Sequence, residues 1–192
     1  MQKLCFATNN PNKLSEIQDL LGNQYELVGL KDIGCEEERA EDQQTLEGNS
    51  PQKAQYVYDH YGVSCFADDT GLEITALNGE PGVYSARYAG EQRDNADNMA
   101  LVMEKLEDQT DRSAQFRTVV TLIVGGEMTQ FEGIAKGNII TEQRGTKGFG
   151  YDPIFVPLGC KETFAEMSRT EKNNISHRGQ AVNKLINHLK KA

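Results

Sequence analysis

The sequence predicts an α/β protein, on three observations. A short apolar run, Lys3 to Ala7, breaks at a cluster of turn formers and passes into a segment whose Leu14, Ile17, Leu20 and Leu21 recur at helical spacing. A second apolar run, Val63 to Ala67, ends in two adjacent carboxylates, Asp68 and Asp69, followed by Thr70-Gly71. Further helical stripes and β-branched runs continue to the last helix, with no internal repeat and no low-complexity linker, so residues 1–192 are expected to form one domain. In open α/β sheets the carboxyl ends of strands face the crevice where ligands bind, which is where both polar breaks fall.

Taken in order, the first strand leads through Thr8-Asn9-Asn10-Pro11-Asn12 into a helix starting near Lys13 and stopped by Gly22-Asn23. A strand, a polar turn and a helix N-terminus make an anion site, because backbone amides and the helix dipole face the same point. Lys13 in the first turn opposes that dipole by roughly 0.3–1 kcal/mol, a cost that a bound phosphate would offset. The alternative is a plain turn with a solvated lysine, since no glycine-rich Walker frame is present. Tyr25 to Leu30 reads as a second strand. Residues 32–47 are crowded with acids and lack apolar periodicity, as a solvated loop would, though any of the glutamates is a candidate metal ligand. Ser50-Pro51 has the form of an N-cap followed by proline at the first helical position, and Ala54, Val57, Tyr58 and Tyr61 make the buried face of the helix that ends at Gly62. Lys53 in that helix is either a surface lysine or a phosphate contact.

The Asp68-Asp69-Thr70-Gly71 stretch admits two readings. It is a tight turn with an Asp bonded to backbone amides, or a place where repelling carboxylates are neutralised by a hard divalent cation such as Mg²⁺. Leu72 to Leu77 is strand-like, Asn78-Gly79 a turn, and Pro81 to Tyr88 a stiff segment exposing Ser85 and Arg87. Asp94 to Leu106 carries a helical stripe, and two strands, Gln115 to Val124 and Met128 to Lys136, flank Gly125-Gly126 as a hairpin. Between Gly145 and Phe155, the glycines around Phe149-Gly150-Tyr151-Asp152 let a backbone approach a flat ligand, with Phe149 and Tyr151 offering faces for stacking worth roughly 1–3 kcal/mol per base. The alternative is a turn packed on the core. Phe164 to Met167 and Ser176 to Leu189 read as helical, with Ser176 as N-cap, His177 and Arg178 in the first turn and Lys172 a few residues upstream.

Composition excludes several classes. With 29 acidic against 20 basic residues, a net charge of -9, the chain is not a general binder of nucleic-acid polymers, whose affinity rests on clustered Lys and Arg. A small polyphosphate held by a few local cations and a metal remains compatible. The four cysteines, Cys5, Cys35, Cys65 and Cys160, show no metal-ligand or redox spacing, and those in strands are expected to be buried thiols. No secretory leader precedes Leu4, and the apolar stretch around Val119 to Val124 is too short to span a bilayer, so the expectation is a cytoplasmic protein without membrane contact.

Thr8-Asn9-Asn10 with Lys13, Phe66 to Leu72, Pro81 to Tyr88, Gly148 to Phe155 and Ser176 to Ala181 together resemble the inosine/xanthosine triphosphate pyrophosphatase family, often called Ham1-like, over the full length and in the same order. The resemblance implies a three-layer α/β fold with a mixed central sheet, two lobes flanking an active-site cleft, a Mg²⁺ requirement and a homodimer. It implies hydrolysis of non-standard purine nucleoside triphosphates such as ITP, dITP and XTP to the monophosphate and pyrophosphate. By the same resemblance Asp69 is the general base and a metal ligand, and Glu41 is the second metal ligand. Thr8, Asn9, Asn10, Pro11, Asn12, Lys13 and Thr70 hold phosphates. Phe149, Gly150, Tyr151 and Asp152 pack on and read the base, and Lys172, His177 and Arg178 complete the pocket. Two departures stand out: the sequence between Glu41 and Thr45 lacks the family's usual small-residue pattern, and the family runs a helix through the point where Ser50-Pro51 suggests a helix start. A nucleotide sensor without turnover, a related pyrophosphatase for other modified nucleotides, and an acidic interaction protein are the alternatives.

Overall fold

The computed structural model describes residues 2–21, 25–37 and 40–191. The Gly22-Asn23 helix stop and Glu38 of the acidic run lie outside the described residues. Seven strands and five α-helices are formed by the described residues: β1 (Gln2–Phe6), α1 (Pro11–Leu21), β2 (Tyr25–Val28), α2 (Leu46–Tyr61), β3 (Cys65–Ile74), β4 (Pro81–Gly82), α3 (Asn95–Lys105), β5 (Ser113–Val124), β6 (Glu127–Ile139), β7 (Phe155–Pro157), α4 (Arg169–Ile175) and α5 (His177–Leu189). The sheet order is β2-β1-β3-β5-β6-β7, with β4 paired to β3. It is mixed: β1 runs parallel to β2 and β3, whereas β3–β4 and β6–β7 are antiparallel.

Two compact units divide the chain. The first comprises Met1–Asp69, Thr118–Gly133 and Arg178–Ala192. Here the strand pleat sorts side chains by parity. Leu4, Phe6 and Phe66 join Ile17 and Leu21 of α1 and Val182, Leu185 and Ile186 of α5 in one apolar cluster. Cys5, Ala7, Cys65 and Ala67 join Ala54 and Val57 of α2 in another. Helices thus cover both faces of this part of the sheet, as parallel strands require. The second unit comprises Thr70–Arg117 and Ile134–His177. Its core gathers Leu72, Ile74, Met99, Val102, Leu106, Phe116, Ile154, Phe155 and Phe164.

Several expectations are corrected. The Asp-Asp-Thr-Gly stretch is not a turn: β3 runs unbroken from Cys65 to Ile74, and only Thr75–Leu77 leaves the strand as a 3₁₀ turn. Gly71 serves close packing instead, since a Cβ there would lie 2.6 Å from the Gly82 carbonyl oxygen of β4. The helix expected from Ser50-Pro51 begins at Leu46, with Thr45 as N-cap accepting from the Gly48 amide. Pro51 therefore sits inside α2, where it cannot bond the Glu47 carbonyl. Gln130 Nε2 donates to that carbonyl at 3.1 Å, so it does not go unpaired. Ser50, far from capping, is buried with its Oγ 3.1 Å from the Ala67 carbonyl and 2.8 Å from Thr121 Oγ1.

Residues 164–167 form a turn, not a helix; the helix is α4, opened by a capping box between Ser168 and Glu171. Ser85, expected to be exposed, is buried, with its hydroxyl donating to the Gly82 carbonyl and accepting from the Leu72 amide. The Gly125-Gly126 hairpin and the Asn78-Gly79 turn form as expected, all four residues at positive φ. None of the four cysteines is in a disulfide. Among the described residues no helix is long and apolar enough to cross a membrane.

The Gly71 contact yields the first prediction. Gly71→Ala drives a methyl into backbone, which cannot swing aside, and lowers the unfolding free energy by about 1–3 kcal/mol in chemical denaturation. An unchanged midpoint would show that β4 is not held against β3 at this point.

Candidate active site

The turn before α1 is organised by its own side chains. Thr8 Oγ1 accepts the Asn10 amide at 3.1 Å, and Asn10 Oδ1 accepts the amides of Asn12 at 3.0 Å and Lys13 at 3.4 Å. Asn10 is thus the N-cap and Pro11 the first helical residue, two positions earlier than expected. Two amides that the sequence left open for an anion are occupied by this cap. What remains is the Lys13 side chain, together with exposed Asn9, Pro11 and Asn12.

Lys13 Nζ lies 2.8 Å from Asp68 Oδ1. Arg178 at the start of α5 places Nε 3.3 Å from Asp68 Oδ2 and Nη1 2.6 Å from Glu16 Oε2 on α1. Asp68, Glu16 and Arg178 are all buried. Burial disfavours the Asp68 carboxylate, but Lys13, Arg178 and Lys53 outweigh it and hold its carboxyl well below the usual range. Lys13 shifts the other way: burial, with Lys53 and Arg178 nearby, lowers its pKa despite Asp68. For Arg178, burial is overcome by Asp68 and Glu16, and its pKa rises.

Asp69 follows the opposite parity and faces α2. Lys53, expected at the surface, is 4% exposed and places Nζ 3.3 Å from Asp69 Oδ1 and 2.8 Å from Glu41 Oε1. Asn49 Nδ2 donates to Asp69 Oδ2 at 3.1 Å. Burial raises the Asp69 pKa in spite of Lys53 and Lys13. Lys53 is pushed down by burial but raised overall by Asp69, Glu41 and Asp68. Glu41 and Asp69 therefore converge on one cation, here an ammonium. Among the described residues no group of three or more His, Cys, Asp or Glu could hold a metal unaided. Two carboxylates suit Mg²⁺, which takes its remaining oxygens from water and phosphate, so the donor set fits that ion.

In the second unit, Asp152 Oδ2 accepts from Lys172 Nζ at 2.7 Å and from the Phe149 amide at 2.9 Å. Gly148, at φ +72°, is required here, because a Cβ would strike Asp152 Oδ2. Lys172 Nζ stands 5.0 Å from the Phe149 ring centroid and 5.7 Å from that of Phe164. Phe149 and Gly150 are half-buried, as a loop that receives a ligand can be. Tyr151 is buried, and its hydroxyl donates to the Ser85 carbonyl at 2.6 Å, so it offers no stacking face and braces the loop instead. His177 stacks on Phe116 at 4.6 Å between ring centroids. Thr70 is half-buried in β3.

Sequence reasoning missed Glu16, Asn49 and the role of Lys53. Helical spacing from Lys13 reaches Glu16, and spacing of four from Asn49 reaches Lys53, but nothing in the sequence marks which helix faces meet a carboxylate.

These features define a mixed-sheet α/β protein that carries two adjacent carboxylates on an inner strand, each matched to its own cations. The chain belongs to the Ham1 family, whose sequence profile matches residues 4–188. It is 53% identical over 188 residues to a dITP/XTP pyrophosphatase of Flavobacterium psychrophilum, covering 98% of this chain and 99% of the relative. It is 54% identical over 187 residues to the protein of the same description from Flavobacterium johnsoniae, covering 97% of each. Among solved structures, a HAM1 protein from Coxiella burnetii superposes with a TM-score of 0.92 at 38% identity over 100% of both chains. The Staphylococcus aureus Ham1 protein gives 0.90 at 36% identity over 99% of both.

The Asp68 network generates a stability prediction. Asp68→Asn leaves the Lys13 ammonium without its carboxylate and Arg178 with Glu16 alone, and costs about 3–5 kcal/mol at neutral pH, measured by urea unfolding. Because the folded pKa is depressed, the stabilisation is present above the unfolded carboxyl's value, about 4, and drains away as pH falls from there through the lower folded value. The wild type should therefore lose stability across that acid window with a steeper slope than Asp68→Asn. Equal slopes would remove Asp68 as the buried anchor.

Proposed function

We propose that this protein hydrolyses ITP, dITP and XTP, non-standard purine nucleoside triphosphates, to the nucleoside monophosphate and pyrophosphate, clearing them from the nucleotide pool. The observation that carries the reading is the division of labour on β3. Asp68 is committed to Lys13 and Arg178, while its neighbour Asp69 keeps a raised pKa beside Glu41. The relatives described as dITP/XTP pyrophosphatases, similar over nearly their whole length, support the same substrate class.

Asp69 acts as the general base that orients and deprotonates the attacking water. Burial strengthens it as a base, and Lys53 keeps it ionised. Lys13 contributes positive charge for the triphosphate tail, with Thr8, Asn9, Asn10, Pro11, Asn12 and Thr70 lining the phosphate end. Glu41 and Asp69 would hold Mg²⁺, which when bound supplies charge neutralisation on the phosphates and the pyrophosphate leaving group. Phe149 receives the base face. Lys172, fixed by Asp152 close to that ring, is the donor a 6-keto group accepts from, whereas a 6-amino group would meet it donor to donor. Mispairing of that kind can reject an analogue by roughly 10⁴-fold. Arg178, with Nε and Nη1 bound to Asp68 and Glu16, serves the phosphate end rather than reading the base. The reading carries with it one two-lobed, three-layer catalytic domain with its active-site cleft, a homodimer, a cytoplasmic location and no nucleic-acid or membrane partner.

The test is product analysis. With Mg²⁺ and ITP, XTP, dITP, dUTP, ATP or GTP, ion chromatography should find pyrophosphate and monophosphate from the first three and little from dUTP and ATP; guanine shares the 6-keto group, so rejection of GTP needs a second element acting on its 2-amino group and not Lys172. Orthophosphate plus a diphosphate would refute the bond cleaved. Asp69→Asn should lose at least about 10²-fold in kcat with the fold intact by circular dichroism. Turnover close to wild type would remove Asp69 as base.

A further inference from the structure

Asn49 occupies the fourth helical position after the Thr45 cap of α2 and is 2% exposed. Asparagine is a mediocre helix former, and its burial calls for partners at both ends of the amide. Both are present: Nδ2 donates to Asp69 Oδ2 at 3.1 Å, and Oδ1 accepts the Gln43 amide at 3.0 Å. The orientation is unambiguous, because a carboxylate can only accept and a backbone N–H can only donate. Gln43 lies two residues beyond Glu41, so one side chain fastens the acidic loop to the strand that carries Asp69. Lys53 sits one turn further along the same face of α2 and takes the other oxygen, Asp69 Oδ1, together with Glu41. A metal ion held by Asp69 and Glu41 would compete with the Lys53 ammonium for the same oxygens. The neutral Asn49 amide competes with neither.

Resting on the assignment of Asp69 as base, we infer that Asn49 is its positioning residue, setting the rotation of the Asp69 carboxylate and its separation from Glu41. A lysine alone leaves a carboxylate free to turn about its last torsion. A second donor on the other oxygen fixes the plane. Groups that orient a metal-binding carboxylate typically change metal affinity or activity by about 10–100-fold when removed.

The experiment compares wild type, Asn49→Ala, Asn49→Asp and Thr45→Ala. Steady-state dITP hydrolysis is measured over a Mg²⁺ series, Mn²⁺ binding without nucleotide by electron paramagnetic resonance, and melting by calorimetry. Thr45→Ala loosens the same helix start without touching Asp69, and Asn49→Asp keeps the acceptor for Gln43 while replacing the donor to Asp69 with a carboxylate that repels it. The expected result is a fall in kcat of about 10–100-fold in both Asn49 variants, KM for dITP nearly constant in both, weaker Mn²⁺ binding in Asn49→Ala, and kcat near wild type in Thr45→Ala. Retained kcat in Asn49→Asp, or a kcat loss in Thr45→Ala that parallels its loss of stability, would reduce Asn49 to a structural residue and overturn the inference. Should Asn49→Ala not fold, Asn49→Ser, short and uncharged, takes its place in the same comparison. A wild type that releases no pyrophosphate from dITP would instead sink the proposed function, and this inference with it.

Discussion

Two carboxylates adjacent in sequence repel, and burying both in a turn would demand a single strong cation between them. The pleat of β3 removes that conflict. Phe66 and Asp68 point toward α1 and α5, Ala67 and Asp69 toward α2, as the partners of their neighbours in the two apolar clusters require. Each carboxylate then meets cations from a different helix: Lys13 and Arg178 on one side, Lys53 on the other. Opposite environments give opposite shifts, Asp68 driven down and Asp69 up. One chemical group repeated in sequence acquires two properties from strand geometry alone.

That separation also explains why the helices begin where they do. Asn10 and Pro11 start α1 so that Lys13 and Glu16, three apart, lie on one face against Asp68 and Arg178. Starting α2 at Leu46, after the Thr45 cap, places Asn49 and Lys53 on one face against Asp69. A start at Ser50, as the local signals suggest, would take Asn49 out of the helix. The chain keeps the longer helix by burying Ser50 on β3 and β5 and by giving the carbonyl orphaned at Pro51 to Gln130.

Much of this was legible from residue patterns. The strands around residues 4, 66 and 120, the hairpin at Gly125-Gly126 and the stripe of α5 follow from periodicity and turn chemistry, and the motifs carried the family. What escaped were places where tertiary contacts override local preference. Ser50-Pro51 has strong helix-start chemistry, yet Gln130, distant in sequence, decides against it. Asp68-Asp69-Thr70-Gly71 has turn composition, yet paired cations and the close approach of Gly82 make it strand. Lys53 looks like any surface lysine until the partners of its helix face are known. The capping-box signature Ser168-Arg169-Thr170-Glu171 also stands in the sequence, yet the helical expectation falls on Phe164 to Met167; it marks the start of the helix that carries Lys172.

The central claim is that the carboxylate available to a catalytic cation is Asp69 and not Asp68. Crystals soaked in Mn²⁺, as a stand-in for Mg²⁺, and measured at the manganese absorption edge test it directly. The account predicts an anomalous peak between Asp69 and Glu41, with the Lys53 ammonium displaced and the Lys13–Asp68–Arg178 group intact. A peak on Asp68, with Lys13 or Arg178 driven away, would contradict it.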